Sequence, residues 1–353
     1  MASSVYRVRS AEGVRAPYSV GSTQEVQELL GSRIAVAERS LEAIERARHN
    51  SNPTITVATH GGKFHVDEVT ATAVLDKVYG NQGIELDIVR TRDPLKLAAA
   101  DIVYDVGWLY DHERRRYDHH QPDALKRENG LTRSALGLIW LHYGTAYCEG
   151  NERAAARIDD VFVRGIDARD NAELRMPEDP ETPDYGISQV IEQLNPILSR
   201  GETYDGQFRK AVGRVAEILS RLHDKVLVEL DTEDAVIAAR LVSDDPRYAV
   251  MDHQVTPPDS LAKIEGLEYI VFPEYTNDTW QVYTIRTPEN PFVSKQPFPE
   301  AWAGREGREL AELTGVRDAI FCHKKRFLTV AKSKAGALAL LTQAIEQSER
   351  SDS

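Results

Sequence analysis

A chain of 353 residues exceeds the size at which one hydrophobic core keeps growing, so two domains are expected. Its 56 acidic side chains outnumber 43 basic ones, and a formal charge of −13 argues against a protein that coats duplex nucleic acid by displacing counterions. The two cysteines, Cys148 and Cys322, form no CxxC pair, and neither a membrane span nor a secretory signal is visible, so a cytoplasmic protein without a disulfide framework or zinc ribbon is expected.

Residues 1–53 read as an arm followed by one amphipathic helix. Ser22 and Glu25 form a capping-box pattern, and Val26, Leu29, Leu30, Ile34, Ala37, Leu41 and Ile44 recur at helical spacing. Such a helix packs on the main body or on a second copy, which leaves a homodimer open. From Pro53 strands and helices alternate. Thr54–Thr59, Glu85–Arg90, Asp101–Val106 and Arg116–Tyr117 read as strands, with helices over Asp67–Tyr79 and Ser134–Tyr143. Asp159–Gly165 is ambiguous between strand and helix end. A helical run covers about Tyr204–Val228, then Val236–Ala239, Ala249–Met251, Tyr269–Val271 and Gln281–Arg286 read as strands, and a helix over Lys334–Ser348 closes the chain. The fold class expected is α/β: a mainly parallel sheet covered by helices over 54–230, then a smaller mixed α/β domain over 231–353.

Chemistry-bearing residues cluster just after expected strands, where α/β sheets bind ligands. His60-Gly61-Gly62-Lys63-Phe64-His65-Val66-Asp67-Glu68 follows the first strand. Its two imidazoles and carboxylate suit manganese, iron or zinc better than magnesium or calcium. Glu68 is assigned to the helix N-terminus, where the dipole favours a carboxylate. Asp105 ends Ile102-Val103-Tyr104, Asp118-His119-His120-Gln121 follows Tyr117, and Asp167 to Asn171 sits where another element stops. Singly, each reads as a turn, a cap or surface. Jointly, so many carboxylates at successive strand ends repel one another unless cations sit among them. For Asp118, His119 and His120 to serve one site, the chain must leave the ladder there. Arg90 and Arg92 suit phosphate or a salt bridge equally.

The order His60…His65-x-Asp67, Asp105, Asp118-His119-His120 and Asp167 resembles the DHH phosphoesterase superfamily. More narrowly it resembles the melanocyte-proliferating-gene (MYG) family, through Thr59 to Glu68, Val89-Arg90-Thr91-Arg92-Asp93-Pro94, Tyr117 to Gln121 and Ile166 to Asn171. Tyr269 to Pro273, Pro299 to Trp302 and Gly336 to Ala339 extend the likeness to roughly residues 54–345. The resemblance implies two manganese ions, one held by His60, His65 and Asp105, the other by Asp67, Asp105, His119 and Asp167, with Asp170 the rival to Asp167. It implies that His120 acts at the scissile phosphate with Asp118 behind it, and that a 3′–5′ exonuclease takes single-stranded RNA or short oligonucleotides. The second domain would bind substrate. Relatives carry a glycine pair near Thr329 and Val330 that this chain lacks, and a basic run, His323, Lys325, Arg326 and Lys332, is the candidate surface instead. Two other readings stay open: a phosphatase for a small phosphorylated metabolite, cyclic dinucleotide or pyrophosphate, and a non-catalytic metal-stabilised binding protein.

Overall fold

The computed structural model describes residues 53–173, 186–241, 243 and 245–351. The arm and helix expected before residue 53 lie outside them. The chain clusters into two compact units: one runs to His142 and resumes over Asp167–Phe208, and the other comprises Tyr143–Ile166 and Arg209 onward. Residue 230, where the sequence suggested a boundary, lies inside the helix Tyr204–Leu241.

In the first unit a five-stranded sheet forms from β1 (Thr54–Thr59), β2 (Glu85–Arg90), β3 (Ile102–Tyr104), β4 (Tyr110–Asp111) and β5 (Arg116–Tyr117), in the order β2-β1-β3-β5-β4. Three pairings are parallel and only β4 with β5 is antiparallel. Between β1 and β2 runs α1 (Val66–Gly80), buried over most of its circumference from Val66 to Leu75. Its start is a capping box: the backbone N–H of His65 donates to Glu68 Oε1 at 2.9 Å. The short α2 (Pro94–Ala99) is capped by Asp93, which accepts from Leu95 N, with proline in its first turn. From β1 the chain moves to one flank for β2, then crosses to the other for β3. The strand order therefore reverses between β1 and β3, and the crevice beyond their C-terminal ends is where an open α/β sheet places a ligand. His60 follows β1 there and Asp105 follows β3.

Further helices are α3 (Ala135–Tyr147), α4 (Glu152–Ile158), α5 (Arg164–Asp170) and α6 (Ile187–Glu192). The ambiguous segment 159–165 is helical: Asp159–Val163 forms a π-helical turn leading into α5.

The helix α7 (Tyr204–Leu241), which belongs to the second unit from Arg209 onward, continues past the expected end at Val228. Val236–Ala239 is thus helix, not strand. Val236 is fully buried, with Ala235 and Ala239 packed on the same cluster, and so short an apolar run has no period to tell the two apart. A second sheet is built from β6 (Tyr248–Val250), β7 (Tyr269–Glu274), β8 (Thr279–Thr284), β9 (Ala319–Cys322) and β10 (Leu328–Ala331), in the order β6-β7-β8-β10-β9. Only β6 with β7 is parallel. α9 (Lys334–Ser351) buries Ala337, Leu340, Leu341 and Ala344 against one face of this sheet, and α8 (Gly307–Thr314) adds Leu310. Full burial of each such leucine contributes about 1.5–3 kcal/mol. Among the described residues no helix is long and apolar enough to cross a membrane.

Candidate metal centre

The loop after β1 turns on Gly62, whose φ of +91° is a conformation that glycine adopts without strain. Two side chains pin it. The Arg90 guanidinium donates to Gly62 O at 2.7 Å, and Asn195 brackets Phe64 by accepting from its N–H at 3.0 Å and donating to its carbonyl at 2.9 Å. His60, buried, and His65, at the surface, are thereby brought to a ring separation of 6.0 Å.

Asp105 leaves β3 with φ +56° and is almost fully buried. Its two carboxylate oxygens face different imidazoles: Oδ2 is 3.1 Å from His60 Nε2, and Oδ1 is 3.3 Å from His119 Nε2. Past β5 the ladder ends, as it must for these three residues to share a site, and Asp118 Oδ1 accepts the backbone N–H of both His119 and His120. The same oxygen lies 2.6 Å from His120 Nδ1. His119 is held from its other side by Asn171, whose Oδ1 is 3.1 Å from Nδ1.

Taken one ligand atom per residue, four overlapping groups lie within 4.8 Å: His60, His65 and Glu68; Asp105, His119 and His120; His65, Asp67 and Asp170; and Asp67, Glu68 and Asp105. Asp67 is completely buried, and neither of its oxygens receives a hydrogen bond among the described residues. A carboxylate in that position is costly without a cation, so the orphaned oxygens fit a metal. A cavity of about 470 Å³ opens over the cluster, lined by His60, His65, Arg92, Asp105, His119, His120, Asp170, Asn171 and Ala172.

The electrostatics follow from this crowding. Burial, reinforced by the charges of Asp105, Asp170 and Glu68, pushes the Asp67 carboxyl well above its ordinary range. Burial also raises Asp170, partly offset by His119. For Asp105, burial is outweighed by the hydrogen bonds of His119 and His60, so its carboxyl is lowered. For His60, burial is overcome by Asp105 and Glu68, and the imidazole rises to about 10. His119 rises to about 9, Asp105 outweighing burial. His120 is raised chiefly by Asp118.

Of the six metal ligands expected from the sequence, the structure gathers His60, His65, Asp67, Asp105 and His119, but not Asp167. Both its carboxylate oxygens are committed elsewhere: Oδ2 accepts from Arg127 Nε at 2.6 Å, and Oδ1 from the Ser134 N–H at 3.0 Å and hydroxyl at 2.7 Å. One turn later on α5, Asp170 reaches the cluster, its Oδ2 3.3 Å from His119 Nε2. Glu68, assigned to the helix cap, also reaches it, with Oε1 3.1 Å from His60 Nε2. Its capping position was visible in the sequence; that its buried carboxylate also faces His60 was not.

Arg90 and Arg92 part company. The side chain of Arg90 is 2% exposed, and its guanidinium lies 4.5 Å from the Phe208 ring centroid and donates to Asp205 at 3.1 Å, so it braces the loop. Arg92, beyond the strand, lines the cavity. In the second unit His323, Lys325 and Arg326 occupy the β9–β10 turn, while Lys332 lies past the opposite end of β10, in a groove with Arg308, Arg317 and Asp318. The four do not form one cluster.

The family model of MYG1_exonuc, an uncharacterised protein family (UPF0160), matches residues 56–345. "MYG1 protein" of Chlamydia trachomatis is 31% identical over 300 residues, covering 83% of this chain and 97% of its own. "MYG1 exonuclease" of Rattus norvegicus is 28% identical, covering 86% and 88%. The Homo sapiens protein of that name is 27% identical, covering 86% and 89%.

Proposed function

The chain belongs to the MYG1_exonuc family (UPF0160), and on that premise we propose that it is a two-metal phosphodiesterase removing nucleotides from single-stranded RNA or short oligonucleotides, in the 3′–5′ direction. The observation that carries this reading is Asp105, whose two oxygens face His60 and His119 from opposite ends of one carboxylate. That is the arrangement a bridging ligand needs. The orphaned oxygens of Asp67 support it.

His60, His65 and Asp105 would hold one cation; Asp67, Asp105, His119 and Asp170 would hold the other. The imidazole and carboxylate donors suit manganese. When bound, such a pair lowers the pKa of an attacking water and offsets charge on the phosphate. Around it, the chain's own groups divide the remaining work. Asp118 fixes His120 through Nδ1 and raises its pKa, so His120 retains a proton to hand to the leaving oxygen through Nε2. Arg92 presents a planar fork to the non-bridging phosphate oxygens. Asn171 orients His119 as the hydrogen-bond partner of a metal-binding imidazole does.

The test compares wild type with Asp105→Asn on labelled oligoribonucleotides and on small phosphoesters, with manganese content measured in parallel. The variant should stay folded and lose cleavage by at least about 100-fold, the upper end of what replacing even a ligand's hydrogen-bond partner costs. Near-normal activity in Asp105→Asn would remove the bridging role. Turnover confined to small phosphoesters would transfer the site to a metabolite phosphatase, and metal uptake without any hydrolysis would make it structural.

A further inference from the structure

Trp108 stands where neither backbone preference nor burial calls for tryptophan. Its φ is +58°, in the left-handed region where a side chain is strained. Its side chain is 70% exposed, whereas Trp140 and Trp302 are buried and Trp280 is partly so. Strained backbone positions cluster at active sites and ligand clamps, so an exposed indole on such a position is a candidate for contact with a ligand.

Its position says what. The backbone N–H of Trp108 donates to Asp118 Oδ2, while Oδ1 of the same carboxylate holds His120. One buried carboxylate thus anchors both residues, and the indole and imidazole rings lie 6.0 Å apart, inclined at 54°. His120 lines the cavity over the metal cluster, so the indole flanks the reaction centre.

We propose that Trp108 is a nucleobase platform: its indole stacks on the base of the nucleotide whose phosphate is cut beside His120. The proposal rests on the phosphodiesterase reading above and adds how the strand is held, through the base of the nucleotide being removed. Stacking suits an exonuclease that must accept every base in turn, since each base presents a π-face and none need be read by hydrogen bonds. It also suits a chain of net charge −13, which has no net positive charge with which to hold a strand electrostatically.

The experiment uses the full chain with manganese and two labelled pentaribonucleotides, one normal and one with an abasic tetrahydrofuran unit at the residue to be removed. Base–aromatic stacking predicts that wild type prefers the normal strand in KM by roughly five- to hundredfold. In Trp108→Ala that preference should collapse to near unity through KM, with kcat for the normal strand changed less than about threefold. Trp108→Phe should restore most of it. Trp108→Gly should show the same collapse yet melt at a higher temperature, because glycine relieves the left-handed strain. If wild type cuts neither strand, the phosphodiesterase reading fails and takes this inference with it. If wild type cuts both and Trp108→Ala leaves the preference intact, or lowers kcat alone, the platform is refuted while the enzyme stands.

Discussion

Asp167 and Asp170 lie one turn apart on α5 in different surroundings, and the proposed site gives them different roles that thermal melting separates. Asp167 is completely buried against Arg127 at 2.6 Å and is packed so closely on α3 that a Cβ at Gly137 would come within 2.4 Å of its Oδ1. Breaking a buried pair by neutralising one member costs about 3–5 kcal/mol. Asparagine keeps one acceptor for Ser134, so the lower end, about 3 kcal/mol, applies to Asp167→Asn. At roughly 2–4 °C per kcal/mol, that lowers the metal-free Tm by about 6–12 °C. Asp170→Asn removes instead one of four carboxylates crowded with Asp67, Glu68 and Asp105, so the metal-free Tm should move by less than about 2 °C. Its effect appears on adding manganese. At a concentration of about 100 Kd, wild type gains about 2.7 kcal/mol, and a hundredfold weaker site gains only about 0.4 kcal/mol, so the manganese-dependent rise almost disappears. Differential scanning fluorimetry with EDTA and with manganese reads both. The opposite pattern, Asp167→Asn losing the manganese response at an unchanged EDTA Tm, would return Asp167 to the ligand set and refute the assignment.

Two further outcomes follow from groups outside the cluster. Arg90→Lys should cost about 1–3 kcal/mol in urea unfolding, since an ammonium cannot both reach Gly62 O and Asp205 and lie flat over Phe208; wild-type stability in that variant would show that the fork is not needed. His142 stacks on His112 at 3.5 Å, and burial, with the charges of His112 and Arg133, lowers its pKa to about 4. The unfolded ring protonates near 6.5 and the folded one near 4, so its contribution is intact above about pH 6.5 and is lost as pH falls towards 4. Subtracting the Tm-against-pH curve of His142→Gln from that of wild type isolates this loss, and parallel curves would contradict it.

The local pattern of this chain was enough for the α/β class, most strands of both sheets and the spacing of the cluster. β1, β2 and β3 fall where β-branched and apolar runs meet turn residues, and His60, Asp105 and His119 each stand within two residues after a strand, where α/β sheets bind ligands. Local pattern also implied that, for Asp118, His119 and His120 to serve one site, the chain must break away after Tyr117, since regular alternation would have turned His119 from its neighbours. What it left open are choices between equivalents. Asp167 and Asp170 share a helix face, and only the approach of Gly137, Ser134 and Arg127 to the first leaves the second for His119. Arg90 and Arg92 share a spacing, and only the Phe208 ring on one of them removes it from the cavity. Val236–Ala239 joined a helix because a buried apolar face existed for it to cover. In each case the deciding contact comes from residues far away along the chain, and such contacts exist only once the chain has folded.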